Sequence, residues 1–418
     1  MKPDAKQTQI PKLRFPEFQS EAAWRIEKTG DLFSDRQETG LPNLPLLSLT
    51  DKEGVIPQED SNRKNNSNLD KSKYLRVVPC DIAYNTMRMW EGRSALVGIE
   101  GLVSPAYTVC KPKPETYSPF FAYYFKTSKL IEQFRKFSQG LVKDTLNLKY
   151  EAFSQIEVAC PKFAEQQKIA DCLSTLDERI GAESQKLDAL KAHKKGLLQQ
   201  LFPREGETLP LLRFPEFQNA PEWKEYNFKE VVSRSFYGTS QSTSEKGKYP
   251  VLRMGNMFDG QLDFTNLVYL DLDEAEFEKF RSRKGDILLN RTNSYDLVGK
   301  ISLFDSEIEC ITASYIVTYR LKSELIDSRF CNYLLNTGDY QARIKIFATR
   351  AVSQANINPT TFQESLALSL PNPEEQHRIA DCLSSLDDLI TAQTDKLETL
   401  KTHKKSLMQK LFPTIGDH

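Results

Sequence analysis

The chain has 418 residues and a mass of 47.9 kDa, enough for two or three domains, and its 39% hydrophobic and 27% charged residues with a mean hydropathy of −0.51 exclude disordered, collagenous and membrane-spanning classes. Lys and Arg total 56 against 57 Asp and Glu, so the net charge is −1 and any surface for a polyanion must be local. Seven scattered cysteines without a C-x-x-C pair argue against a disulfide framework or a zinc site and fit a reducing, cytoplasmic setting.

Along the chain, the polar start MKPDAKQTQI has no apolar segment behind it, and no run approaches the roughly 18 apolar residues of a membrane span. Leu-Arg-Phe-Pro-Glu-Phe-Gln begins at Leu13, with Trp24 downstream. A first strand signal starts at Pro45, and a second, Cys80-Asp-Ile-Ala-Tyr-Asn, follows the polar loop 61–76 with its cations Arg63, Lys64, Lys71, Lys73 and Arg76. Asn85, Arg88 and Arg93 come next, then a third strand from Ala106, then a helix marked by Phe120, Tyr123, Tyr124 and Thr127. Lys143 ends the loop Gln139-Gly-Leu-Val-Lys. Ile169, Leu173, Leu176, Ile180, Leu187, Leu190, Leu197 and Leu201 then recur at heptad spacing, with Gln166, Glu183 and Lys194 as polar members of the same seam.

The plan then repeats. Leu-Arg-Phe-Pro-Glu-Phe-Gln returns at Leu212 with Trp223 downstream, and strand signals follow at Pro250 (ahead of Arg253), at Gly285-Asp-Ile-Leu-Leu-Asn and at Ser314. Arg281, Arg283 and Lys284 precede the middle strand, while Asn290, Arg291, Asn293 and Tyr295 end or follow it. Phe330, Tyr333, Leu334 and Thr337 repeat the helix spacing, and Arg343, Lys345, Arg350, Ser353, Gln354 and Asn356 lie before the second heptad region. That region places Ile379, Leu383, Leu386, Ile390, Leu397, Leu400, Leu407 and Leu411 on its seam, with polar Gln393 and Lys404 matching Glu183 and Lys194. Without a gap, about 24 of 39 positions are identical between 165–203 and 375–413.

These patterns predict two α+β bodies, 1–160 and 204–370, each with a curved, mostly antiparallel sheet and each followed by a long helix, 161–203 and 371–418. At ~1.5 Å per residue each helix spans about 55 Å. Paired as an antiparallel coiled coil, they would give a pseudo-two-fold rod with a body at each end. The matched polar seam positions would fix its register, as suits a ruler.

The chemistry of an enzyme is not visible. There is no G-x-x-x-x-G-K-[ST] loop and no G-x-G-x-x-G after a strand, and Asn358-Pro359-Thr360-Thr361 is not the tetrapeptide of amino-methyltransferases. The four histidines are His193, His377, His403 and His418, of which His193 and His403 sit in Lys-His-Lys-Lys on helices and read as solvated basic faces. Asp81 and Asp286 begin equivalent strands and read as turn residues rather than metal ligands, since no partner carboxylate recurs with them. The cation and amide clusters fit DNA instead. Arg and Lys suit phosphates and guanine edges, while Asn and Gln suit adenine in the major groove.

The two lead-in motifs, Gly285-Asp-Ile-Leu-Leu-Asn, the run Pro-x-x-x-Glu-Gln-x-x-Ile-Ala-x-x-Leu-x-x-Leu-Asp from Pro371, and the close Lys-Lys-x-Leu-x-Gln-x-Leu-Phe-Pro of both helices together resemble the specificity subunit of Type I restriction-modification systems. The resemblance implies two target recognition domains, each reading half of a split DNA sequence, and helices that set the unread spacer. It also implies no catalytic site or cofactor in this chain. Two methyltransferase subunits using S-adenosylmethionine, and restriction subunits using ATP and Mg, would be the partners. A coiled-coil protein adaptor without DNA readout, and an enzyme with unrecognised catalytic residues, are the alternatives that the residues leave open.

Overall fold

The computed structural model describes residues 9–41, 43–50, 54–61, 71–142, 145–350 and 354–413. They form two compact units, one of Met1–Ser184 with Asp395–His418, the other of Gln185–Thr394. Each unit thus joins one body to a stretch of both long helices, Phe163–Gln200 and Pro373–Leu411.

Both bodies are built on the same four-stranded antiparallel sheet. In the first unit the order is Phe33–Asp35, Tyr107–Pro112, Ile82–Asn85, Ser94–Leu96, and in the second Val232–Tyr237, Ile316–Leu321, Asp286–Asn290, Ile301–Phe304. The strand Ile82–Asn85 and its counterpart Asp286–Asn290 lie inside this sheet, so their apolar runs are buried on both faces. The predicted strands are present, but they do not make one curved sheet per body. Among the described residues Leu47–Thr50 forms a two-stranded sheet with Gly54–Pro57, and Tyr249–Leu252 joins Val268–Leu270 and, in parallel, Ile311–Thr312.

One of these turns differs between the copies. Ahead of the central strand the second unit has Gly285 at φ +93°, whereas the first has Cys80 at φ 74°, an exposed side chain in a region that L residues avoid. The next residue closes the turn in both. Asp81 accepts from the backbone N–H of Val78 at 3.0 Å and Asp286 from that of Arg283 at 2.8 Å. Each carboxylate, 1% exposed, also forms a two-pronged pair with an arginine, Arg36 or Arg320. Arg36 follows the edge strand Phe33–Asp35 whereas Arg320 lies within Ile316–Leu321, so the aspartate is the common element and its cation is supplied from a different place in each copy.

The short helices Ser118–Tyr124 and Ser328–Leu335 bury Phe120, Phe121 and Tyr124, and Phe330, Cys331, Leu334 and Leu335, respectively, against the sheet. The end of a long helix completes each of these cores. In the first unit Phe412 stacks on Tyr124 at 4.8 Å and lies 5.3 Å from Phe120, with Leu411 buried beside it. In the second, Phe202 packs 5.4 Å from Phe330 and 6.4 Å from Trp223, with Leu201 beside it. Burial also pushes the Cys160 and Cys310 thiols up to about 12, so they remain neutral core groups.

Within each unit the two helix segments run antiparallel. In the first, Lys396 pairs with Glu183 and Lys404 with Asp177; in the second, Lys194 pairs with Asp387. The seam residues Ile169, Leu173, Leu187, Leu201, Ile379, Leu383, Leu386, Leu397 and Leu411 are buried, and Leu176, Ile180, Leu190, Leu197, Ile390, Leu400 and Leu407 are half-buried. The polar seam lysines do more than break the apolar stripe. Lys194 lies 5.3 Å from the Tyr333 ring, whose hydroxyl donates to Asp387 at 2.7 Å; Lys404 lies 5.1 Å from the Tyr123 ring, whose hydroxyl donates to Asp177 at 2.8 Å. Burial raises both tyrosine hydroxyls above their ordinary value, so they stay donors. Each clamp ties both helices to the body of its unit.

A second latch uses the lead-in motif. Arg14 grips Glu165, in the first turn of the first long helix, through Nε at 2.8 Å and Nη2 at 2.7 Å, while the Leu13 N–H donates to the Lys410 carbonyl near the end of the second. Arg213 grips Glu375 at 2.7 Å through both nitrogens, and the Leu212 N–H donates to the Gln200 carbonyl. Both glutamates are 1% exposed. The adjacent Gln166 and Gln376 accept from the backbone of Tyr117 and Asp327 at 2.8 and 2.9 Å, and donate to the carbonyls of Pro161 and Pro371 at 3.0 Å. Only Glu165 also takes the Trp24 indole N–H, at 3.2 Å; the equivalent Trp223 nitrogen is buried without a partner among the described residues.

Truncating Phe412 to Ala is expected to cost about 3–5 kcal/mol, read as a lower urea midpoint for the first unit's transition, because Phe412 is only 4% exposed. The two turns give a paired prediction. Cys80→Gly should raise the unfolding midpoint slightly and Gly285→Ala should lower stability by about 1 kcal/mol, since a left-handed L residue costs about 1–2 kcal/mol. A Cβ at Gly285 would meet Ser328 Oγ only at 3.5 Å, so φ rather than crowding sets that penalty.

Candidate nucleic-acid interface

The central strand Asp286–Asn290 carries cations at both ends, and the two ends differ in charge balance. At its start Arg281 pairs with Glu278 at 2.6 Å and Glu309 at 3.0 Å, Arg283 with Glu278 at 3.3 Å, and Lys284 with Asp305 at 3.1 Å and Glu307 at 3.4 Å. Their positive charge is spent locally. Four steps of ~3.3 Å from its first to its fifth residue put the far end on the order of 13 Å away.

At that far end the chain makes a small three-stranded sheet. Thr292–Asn293 pairs with Ala355–Ile357, which pairs in turn with Ala348–Arg350. Ala355 and Ile357 face the core, 1% and 0% exposed, so the alternating Asn356 faces out, in register with Thr292 on one side and Thr349 on the other. Over this row lie the cations. Arg291 donates to Asn356 Oδ1 through Nε at 3.2 Å and Nη2 at 3.1 Å, and its guanidinium is 5.2 Å from the Tyr237 ring. Arg350 stacks 3.7 Å from the Tyr295 ring, and Lys345, 5.8 Å from that ring, donates to the Asp296 carbonyl at 3.4 Å. Among the described residues no carboxylate pairs with Arg291, Lys345 or Arg350, in contrast to the cluster at the strand's start. Stacked guanidiniums and an outward amide row are the group types that meet phosphates and base edges.

The other candidates fall elsewhere. Asn290 is fully buried and donates to the Leu297 carbonyl at 3.5 Å, so it holds the turn and offers no edge to a ligand. Asn293 accepts from the Ser294 N–H at 2.8 Å, while Gln354 is exposed next to the amide row. Arg343 lies 4.8 Å over the Tyr340 ring and 3.9 Å from Glu205, and Arg253 donates to the Asn266 carbonyl at 3.4 Å. In the first unit Arg76 is held by Glu38 and Glu100, both at 2.7 Å, and Arg88 and Arg93 share Glu91 at 3.1 and 2.9 Å. Asn85 accepts from the Met87 N–H at 3.0 Å, and Lys71 and Lys73 precede the strand Leu75–Val77, Lys73 exposed. Arg63, Lys64, Lys143 and Ser353 lie outside the described residues. Tyr237, Thr292 and Thr349 join the second unit's cluster without having been singled out in the sequence. Tyr237 comes from an edge strand some 50 residues earlier, and only the fold reveals that it supports Arg291.

Comparison with known proteins shows the family. The family model described as "Type I restriction modification DNA specificity domain" matches residues 82–192 and 221–402. The chain is 26% identical over 355 residues to the MjaVIII type I restriction enzyme specificity subunit of Methanocaldococcus jannaschii, covering 82% of each chain. It is 31% identical over 201 residues to the MjaX specificity subunit of the same organism, a match that spans about half, 47%, of each chain. Among solved structures, the S subunit of a Type I restriction-modification system from M. genitalium superposes with a TM-score of 0.60 at 16% identity, covering 97% of this chain and 100% of that one. That likeness is one of fold. With two matched regions that together cover more than half of its length, each containing the central strand of one body, the chain belongs to the Type I restriction-modification DNA specificity family.

Proposed function

We propose that this chain is the DNA sequence-specificity subunit of a Type I restriction-modification complex in the cytoplasm, each body reading one half of a bipartite double-stranded target and the long helices setting the spacer. The observation that carries the reading is the cation and amide row of the second unit, whose cations meet no carboxylate among the described residues, set on a body that is duplicated in the first. Two methyltransferase subunits dock on the helices and bodies, and restriction subunits join them; S-adenosylmethionine, ATP and Mg belong to those partners. No described helix is long and apolar enough to cross a membrane.

The reading is tested by mapping adenine methylation in a host that carries the matching methyltransferase, with and without this chain. A split motif that depends on the chain supports it. A complex that assembles yet marks no chain-dependent motif favours the protein adaptor, and turnover by the isolated chain favours an enzyme. Replacing residues 24–160 with the corresponding body of a relative is expected to change one half of the motif and leave the other. Inserting four helical residues into both long helices, at 184/185 and 394/395, adds about 6 Å of rise. With ~3.4 Å per base pair, the spacer should then grow by one or two base pairs in the same methylation map.

A further inference from the structure

We propose that Asn356 is a specificity-determining residue that acts as a hydrogen-bond donor only and selects guanine in the half-site read by the second body. The proposal rests on the reading of this chain as a DNA reader and names the base chemistry of one position in it. A free carboxamide offers both an acceptor and a donor, and that pair of functions matches adenine, whose N6 amino group donates and whose N7 accepts. Asn356 is not free. Its Oδ1 already receives Arg291 Nε at 3.2 Å, Arg291 Nη2 at 3.1 Å and Thr292 Oγ1 at 3.2 Å.

The two guanidinium donors also fix which end of the amide is which, because an NH2 group could not accept them. The acceptor end is therefore consumed by the protein, and Nδ2 is the end that remains for a ligand. Nδ2 carries two hydrogens, and guanine presents two acceptors, N7 and O6, to the major groove. Adenine in the same place would set its N6 donor against a donor. The side chain is held for this task. Asn356 is exposed on the middle strand of a three-stranded sheet, between core-facing Ala355 and Ile357, and its Arg291 partner is itself braced 5.2 Å from the Tyr237 ring.

The test is the methylation map of the assembled complex carrying wild-type chain, Asn356→Ala or Asn356→Asp. Asn356→Ala should relax one guanine of the second half-site, with a loss of discrimination of roughly ten- to hundredfold at that position alone. Asn356→Asp keeps an oxygen for Arg291 and turns the outward group into an acceptor, so the same position should move toward cytosine, whose N4 amino group donates. A responding position that is adenine in the wild-type motif overturns the proposal, as does a motif unchanged in both variants. If Asn356→Asp abolishes methylation, Asn356→Ala decides alone by the same criteria. A wild-type chain that directs no motif overturns the DNA-reading assignment itself, and this proposal with it.

Discussion

A carboxylate buried in the first turn of each long helix organises the architecture around it. Glu165 and Glu375 are almost fully removed from water, and a buried unpaired charge is costly enough that each must keep its arginine, Arg14 or Arg213. Because the same seven-residue motif also gives a backbone N–H to the end of the other helix, satisfying the charge holds two helix termini at one level. Net stabilisation from such a pair is small once desolvation is counted, but a shifted register would leave a bare charge in the core. The pairs act on which arrangement forms more than on how tightly it holds, and the Lys194–Asp387–Tyr333 and Lys404–Asp177–Tyr123 clamps repeat that logic further along the helices.

Charge is distributed by context rather than by sequence number. The cations at the start of the second body's central strand are cancelled by Glu278, Asp305, Glu307 and Glu309, whereas those at its end lean on tyrosine faces and meet no acid among the described residues. In the first body Arg88 and Arg93 lie beyond the equivalent strand but share Glu91. Two bodies with one frame thus carry different charge pairings at the ends of their central strands among the described residues.

Much of the frame was legible because it obeys simple periodicities. Heptad leucines marked the helix seam, and the short apolar runs at Ile82 and Ile287 marked strands buried on both faces. The matched polar positions Lys194 and Lys404 were legible as register devices, though not their tyrosine partners, which come from the bodies. The lead-in motif could be seen to repeat, yet nothing in its composition says that Arg14 reaches a glutamate 151 residues away. The candidate interface was the least legible part. Arg281 and Arg291 look alike in the sequence, and only three-dimensional neighbours distinguish a cation that is already neutralised from one that is not. Asn290 likewise reads as a polar residue at a strand end and proves to be a buried turn-holder.

The plugging of helix ends into the bodies has a consequence for the order in which the protein can be made. The second unit's plug, Phe202, precedes its body in the chain, so that core can close as soon as the body and the first half of the second long helix have emerged. The first unit's plug, Phe412, is translated roughly 250 residues after its body ends, which at about 5–20 residues per second is some tens of seconds. During that interval Phe120 and Tyr124 lack the ring that packs on them, and the body synthesised first is the last to be completed.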